Sequence, residues 1–238
     1  MRKKLIDKIR DNVKMAYEAI SSEFDQTRKT KWPEFEHFLE YVGNGAKVLD
    51  LGCGNGRLYD SLKSKKVDYT GMDLSSALID RARANFPAAR FKMGDMVNLD
   101  LPDENFDIVF SIASFHHLPG RKLREKAVEE INRVLKPNGI LILTVWNLFQ
   151  WKYMVHIIKS AISFLFHLGL KYAWNDLWVK WGDCPLKRYY HAFLPAELVG
   201  YFKGGNWKTE EFYFTKKGTR VKFMRSYNLC LIIRKTKK

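Results

Sequence analysis

The sequence predicts an α/β protein, with a doubly wound, mostly parallel seven-stranded sheet, an antiparallel C-terminal edge pair and N-terminal helices. Three observations predict it. The apolar run Lys47-Val48-Leu49-Asp50-Leu51 stops at a glycine cluster, Gly52-Cys53-Gly54-Asn55-Gly56, as a strand buried on both faces does where it turns into a helix. Short apolar runs and helical patterns then alternate as far as Val145, which implies right-handed crossovers between parallel strands. Two later apolar runs flank a basic, glycine-containing turn, the pattern of an antiparallel pair at a sheet edge.

The elements follow in order. Residues 1–42 read as a helical cap, because Ile6, Ile9, Val13, Ala16, Tyr17 and Ile20 recur at helical spacing. A second helix follows Pro33 through Phe35, Phe38 and Leu39. Residues 46–146 form the core, opening on the strand from Lys47 to Leu51. A helix over Leu58 to Leu62 follows, then a strand over Val67 to Asp73 and a helix capped by Ser75 that runs through Ala84. Strands over Arg90 to Met93 and Phe106 to Ile112 come next. A long helix from about Arg121 is stopped by Lys136-Pro137-Asn138-Gly139, before a fifth strand over Ile140 to Val145. Residues 147–187 are an aromatic insertion carrying Trp151, Trp174, Trp178 and Trp181. Residues 188–238 supply the runs Glu211 to Thr215 and Tyr227 to Ile233. No repeat or low-complexity linker divides residues 1–238, which read as one domain.

With 238 residues, 46% of them hydrophobic, the chain can bury a substantial core. Lys and Arg number 41 against 26 Asp and Glu, a net charge of +15, and such a surface attracts polyanions. Cys53, Cys184 and Cys230 are odd in number and lack CxxC spacing, so neither a disulfide framework nor a metal site is expected, and a reducing cytoplasm fits. The N-terminus lacks the apolar core of a secretory signal. Trp151 to Leu170 is apolar but interrupted by His156, Lys159 and His167, so no integral membrane span is expected; an amphipathic lid or an interfacial helix fits it.

The chemistry concentrates at strand ends. A strand entering Gly-x-Gly-x-Gly lets the backbone approach a ligand closely. The third glycine of a dinucleotide fingerprint would fall at Arg57, and Asp50 before the loop would repel a pyrophosphate, so a cationic ligand suits the site better. Asp73 ends the second strand, where a carboxylate can accept both hydroxyls of a ribose, and Leu74 follows it. Gly94-Asp95-Met96 follows the third strand, placing a carboxylate for an adenine amino group and a thioether for its ring.

These residues resemble the class I S-adenosylmethionine-dependent methyltransferases, the Rossmann-like methyltransferase fold. Phe106-Asp107-Ile108-Val109, Phe115-His116-His117-Leu118 and Arg133-Val134-Leu135-Lys136-Pro137-Asn138-Gly139 agree. The resemblance implies that Asp50, Gly52, Gly54, Asp73 and Asp95 bind the cofactor, with Leu74, Met96 and the backbone from Ser111 to Ala113 beside it. The ends of the chain are similar to the tRNA wobble-uridine (5-carboxymethyluridine) carboxyl methyltransferases. The matching stretches are Tyr17…Ile20…Phe24 with Thr27-Arg28, Trp32-Pro33, and Arg188-Tyr189-Tyr190-His191. Ser21 and Asp25 stand where that family has Ala and Ser, and residues 147–172 do not match its pattern.

The resemblance implies tRNA as substrate and a small zinc-binding activator subunit as partner; the oligomeric state is not implied. A carboxylate is already ionised at neutral pH, so its methylation needs positioning and dryness rather than a strong base. Arg188 and Arg28 are candidates to grip it, with His116, Tyr190 and His191 shaping the pocket. Arg28 serves equally as a clamp for the cofactor's carboxylate, Trp32 as part of the cofactor site, and Trp32 and Tyr189 as stacking platforms for an extruded base. Tyr189 and His117 also read as packed residues. The basic run of Lys216, Lys217, Arg220, Lys222 and Arg225, with Arg2, Lys3 and Lys4, suits phosphate contacts or a solvated edge. Two other functions fit the same core: a methyltransferase for a quinone or lipid precursor, and a non-catalytic RNA-binding protein. A basic mouth to the pocket would favour tRNA, and an apolar one a lipid.

Overall fold

A computed structural model describes residues 3–28, 30, 32–166, 172–182 and 184–237. Arg2 and His167 lie outside the described residues. The long helix α1 (Lys3–Thr27) buries Ile9, Val13, Ala16 and Ile20, the stripe that three- and four-residue spacing aligns. Glu18 on its outer side accepts hydrogen bonds from the backbone N–H groups of Ser76 (2.7 Å) and Ala77 (3.0 Å). It thereby supplies negative charge at the N-terminus of α4 (Ser76–Asn85) and fixes α1 across the molecule. The short α2 (Phe35–Leu39) follows Pro33 and buries Phe35 and Phe38.

The main sheet has eight strands in the order β3-β2-β1-β4-β5-β10-β8-β9. Its first five strands in that order are β3 (Arg90–Met93), β2 (Asp68–Asp73), β1 (Lys47–Leu51), β4 (Phe106–Ile112) and β5 (Leu135–Trp146), all parallel. Helix α3 (Arg57–Leu62) and helix α5 (Arg121–Val134) join them with α4. β10 (Asn228–Lys235) is antiparallel to both β5 and β8 (Trp207–Lys216), so the last strand lies inside the one before it. The expected antiparallel pair is present. The strand count differs from seven because β9 (Thr219–Arg220) adds a two-residue ladder on the outer edge.

The centre of the sheet is covered on both faces, which is why β1, β4, β5 and β10 carry apolar runs. Leu49, Val109, Leu141, Leu143, Leu229, Leu231 and Ile233 point to one core. Their alternates Val48, Ile108, Phe110, Ile140, Ile142 and Ile232 point to the other. Each such side chain, once buried, contributes about 1.5–3 kcal/mol.

Two departures from the sequence reading concern the second half. Helix α5 ends at Val134, ahead of the stop expected at residues 136–139, because Pro137 excludes a helical conformation at Lys136, and the chain is already extended at Leu135. The insertion holds α6 (Met154–Phe166) and the strand β6 (Asp176–Lys180), which pairs with β7 (Lys187–His191) in a separate antiparallel sheet. Neither strand was expected. The Arg-Tyr-Tyr-His motif is thus a strand packed under α1, and the short α7 (Pro195–Gly200) follows it.

Candidate active site

Strand order reverses between β1 and β4, and there the carboxyl ends of the strands leave a crevice. A cavity of about 510 Å³ occupies it, floored by residues 50–55 and walled by α1. Gly52 sits at φ +78°, and a Cβ there would come within 2.4 Å of Ser114 Cβ, so only glycine lets the loop close over β4. The Gly54 and Ser75 N–H groups donate to the two oxygens of Asp73, at 3.0 and 2.9 Å, which holds this cavity-lining carboxylate in one orientation. Asp50 lines the floor while only 2% exposed, and Tyr69 donates to it at 2.7 Å. Burial, reinforced by the nearby Asp73, pushes the Asp50 carboxyl up to about 7, against the lowering by Tyr69 and Arg57.

Leu74, Met96, Gly54, Trp32 and Arg28 also line the cavity, as the sequence reading requires of a cofactor site. Asp95 and Ser111 do not. Asp95 is ion-paired with Arg10, which α1 brings from 85 residues away, so the carboxylate expected to meet an adenine is engaged by the helix cap. Ser111 is fully buried beneath the floor, sharing a hydrogen bond with Ser114, whose hydroxyl donates to the Leu51 carbonyl at 2.8 Å. Ile112, Ala113 and Ser114 form the surface there.

Of the four candidate catalytic residues, Arg188 alone lines the cavity. It is 2% exposed, and its guanidinium lies 4.6 Å from the Trp181 ring centre, 5.2 Å from Tyr190 and 5.4 Å from Tyr17. Nη1 donates to the Tyr17 hydroxyl at 3.3 Å, and Nε has no partner. No carboxylate pairs with it among the described residues. Such a buried cation is costly until an anion arrives. His116, Tyr190 and His191 stand behind the wall. His116 is fully buried against Trp146 and Tyr190, and burial pulls its pKa well below the usual value. Tyr190 lies parallel to Trp146 with ring centres 5.3 Å apart. His191 is enclosed between Asp176 and Glu197, 2.7 Å from each. It pins β7 and does not reach the cavity.

The residues that sequence reasoning missed complete the wall. His117, adjacent to the expected His116, faces the cavity. Its Nδ1 lies 2.7 Å from the Tyr189 carbonyl, which assigns the proton there, so Nε2 accepts from the Tyr17 hydroxyl at 2.8 Å. Burial lowers its pKa to about 3. Tyr17 therefore links His117 to Arg188. Arg57 lies over Trp32 at 5.4 Å without an acidic partner among the described residues, and burial together with Arg28 draws it down to about 10. Its only signal in the sequence was its place where a third glycine would stand. Arg220, in contrast, is engaged by Glu211 and lies 4.1 Å over Tyr213, so it is less available to phosphate than Lys216 or Lys217.

A glycine cradle that a Cβ would fill, with Asp50 and Asp73 on its floor, suits a cationic nucleoside such as S-adenosylmethionine. In fold the chain is similar to the S-adenosylmethionine-dependent methyltransferases. Residues 49–143 match the methyltransferase domain family. Over 134 residues the chain is 40% identical to the tRNA (carboxymethyluridine(34)-5-O)-methyltransferase of Arabidopsis thaliana, covering 56% of this chain and 32% of that protein. Over 144 residues it is 31% identical to the Saccharomyces cerevisiae protein of the same name, covering 60% of this chain and 51% of the yeast protein. The chain thus spans about a third to a half of these relatives. In fold it is similar to a SAM-dependent methyltransferase of Methanosarcina mazei, with a TM-score of 0.71 at 21% identity over 85% of this chain and 98% of that one. It is also similar to a chain in the complex of the Haloferax volcanii Trm112 methyltransferase activator with a methyltransferase (TM-score 0.68, 18% identity, 95% and 98% covered).

Proposed function

We propose that this protein transfers a methyl group to the carboxylate of 5-carboxymethyluridine at the wobble position of tRNA, in the cytoplasm. The observation that carries the reading is Arg188, a buried guanidinium on the cavity wall without an acidic partner among the described residues. Asp73, Asp50 and the Gly52–Gly54 loop would hold the cofactor, which supplies an electrophilic methyl on a sulfonium. Arg188 receives the substrate carboxylate in its planar fork and aims one oxygen toward the floor. Tyr17, Trp146 and Trp181 surround that guanidinium and exclude water, which strengthens the ion pair. His117, held neutral with a pKa of about 3, orients Tyr17 and abstracts nothing. A carboxylate carries no proton to remove, so the wall needs no base.

The cavity lining supports a polyanionic substrate over a lipid precursor, because Arg28, Arg57, Lys14, Lys152 and Lys217 belong to it. An activator subunit belongs to the same proposal, on the strength of the Haloferax volcanii complex. The test is mass spectrometry of nucleosides from tRNA bearing 5-carboxymethyluridine, after incubation with the protein and S-adenosylmethionine, with and without such a subunit. The methyl ester of that nucleoside is expected. Methylation of another nucleoside, or none under either condition, would overturn the proposal.

A further inference from the structure

Helix α6 keeps its most apolar side in water. Trp151 just before it, then Val155, Ile158, Ile162, Leu165 and Phe166 on it, are between 48% and 89% exposed. These positions recur every three or four residues and form one ridge. The opposite side is already used. Ile157 is buried with Leu148, Leu177 and Tyr190, and Ser160 Oγ donates to the carbonyls of Ala173 (3.2 Å) and Asp176 (2.7 Å). The helix is therefore held with its ridge outward. A contiguous apolar ridge of this kind marks an interaction surface.

Charge says what covers it. Lys152 and Lys159 are exposed among the apolar residues, and no Asp or Glu occurs from residue 147 to residue 166. Beyond the ridge, Lys152 and Lys216 both lie over the Tyr227 ring, at 5.9 and 5.1 Å, so the basic end of β8 adjoins the start of α6. A second copy of the chain would bring the same lysines together without an acid to pair them. Between Trp151 and Phe166, at its two ends, the ridge offers a nucleic acid only Val155, Ile158, Ile162 and Leu165, aliphatic side chains that do not stack on bases. We infer that α6 lies flat on an anionic lipid surface, its ridge among the acyl chains and its lysines at the headgroups. Its 13 residues match this posture, and among the described residues no helix is long and apolar enough to cross a membrane. Gln150, Lys152 and Tyr153, at the same end of the helix, line the cavity, so docking sets the mouth of the site beside the headgroups. The inference is independent of the tRNA reading.

The test is co-sedimentation of the full chain with vesicles of phosphatidylcholine alone or mixed with phosphatidylglycerol. Binding to the mixed vesicles should exceed binding to phosphatidylcholine by about tenfold or more and weaken with salt. The exposed pair Val155→Glu and Ile162→Glu should abolish it, while S-adenosylmethionine binding by calorimetry stays as in the parent and certifies the fold. Absence of sedimentation, equal sedimentation with both vesicles, or sedimentation that survives the two substitutions would overturn the inference. So would a dimer seen by light scattering that the substitutions dissolve, or a loss of tRNA affinity in place of a loss of vesicle binding.

Discussion

Asp50 is the residue through which pH enters. Its carboxyl titrates near the ordinary carboxylate value when unfolded and at about 7 when folded, because burial disfavours its charge. The folded state thus holds this proton more tightly. The stability it contributes is complete below about pH 4 and is lost as pH rises through about 7. A cation bound against Asp50 favours the ionised form, so cofactor binding should release a proton at pH 6. Calorimetry at that pH in two buffers of different ionisation enthalpy should give different apparent enthalpies; identical enthalpies would contradict the role of Asp50. At saturating cofactor the chemical step has no such dependence. His117 stays neutral from about pH 6 to about 8, and a carboxylate substrate is ionised throughout, so kcat should be nearly flat in that range. Arg188→Lys keeps the charge but loses the fork, and should lower kcat/KM by roughly 10- to 100-fold. A steep wild-type pH profile or a fully active lysine variant would refute the clamp. At this scale the sequence revealed what is local. Asp73 with the Gly52 loop was legible because strand, glycines and acid lie within one βαβ unit. The pairing of Asp95 with Arg10 was not, because only the folded α1 brings them together. Which of His116 and His117 meets the cavity depends on one residue's rotation in a tight turn, and periodicity does not record that.

The elements differ in the same way. The central parallel strands β1, β4 and β5 were legible because each is buried on both faces and carries an apolar run, and β2 and β3 followed from their places in the alternation. β6 and β7 were not, because their apolar stretches, Leu177 to Val179 and Tyr189-Tyr190, are only two or three residues long and end in charged or polar residues. Their stability comes instead from a buried polar network. Tyr189 Oη donates to Asp176 at 2.6 Å, and His191 joins Asp176 to Glu197 across the end of the pair. His191→Ala would leave the Asp176 carboxylate, almost wholly buried, with one partner fewer. Unfolding in urea should show a loss of roughly 3 kcal/mol with an unchanged m-value. Because β7 also carries Arg188, kcat should fall in the same variant under conditions where it remains folded. Full stability after the substitution would mean that the network is not what holds the strand.

For the molecule as a whole, the net charge of +15 sets how it meets a polyanion. Lys216, Lys217 and Lys222 lie at the open end of β8 and the turn beyond it. Changed together to Ala, they should reduce the slope of log affinity for tRNA against log salt by about two, at roughly 0.7–0.9 for each phosphate no longer neutralised. Anisotropy titrations over a range of salt read this directly, and an unchanged slope would assign those lysines to solvent. The sheet carries one more consequence, drawn from the position of β10. The ribosome makes it after β8, yet it lies between β5 and β8. Until residues 228–235 emerge, β5 lacks its outer partner, and β8, which pairs with β10 and β9 alone among the described strands, has no ladder to the rest of the sheet. Nascent or truncated chains that stop short of Asn228 therefore carry two open edges, the features by which strands add to one another and aggregate. The sheet becomes whole only when its last strand ties β8 to β5.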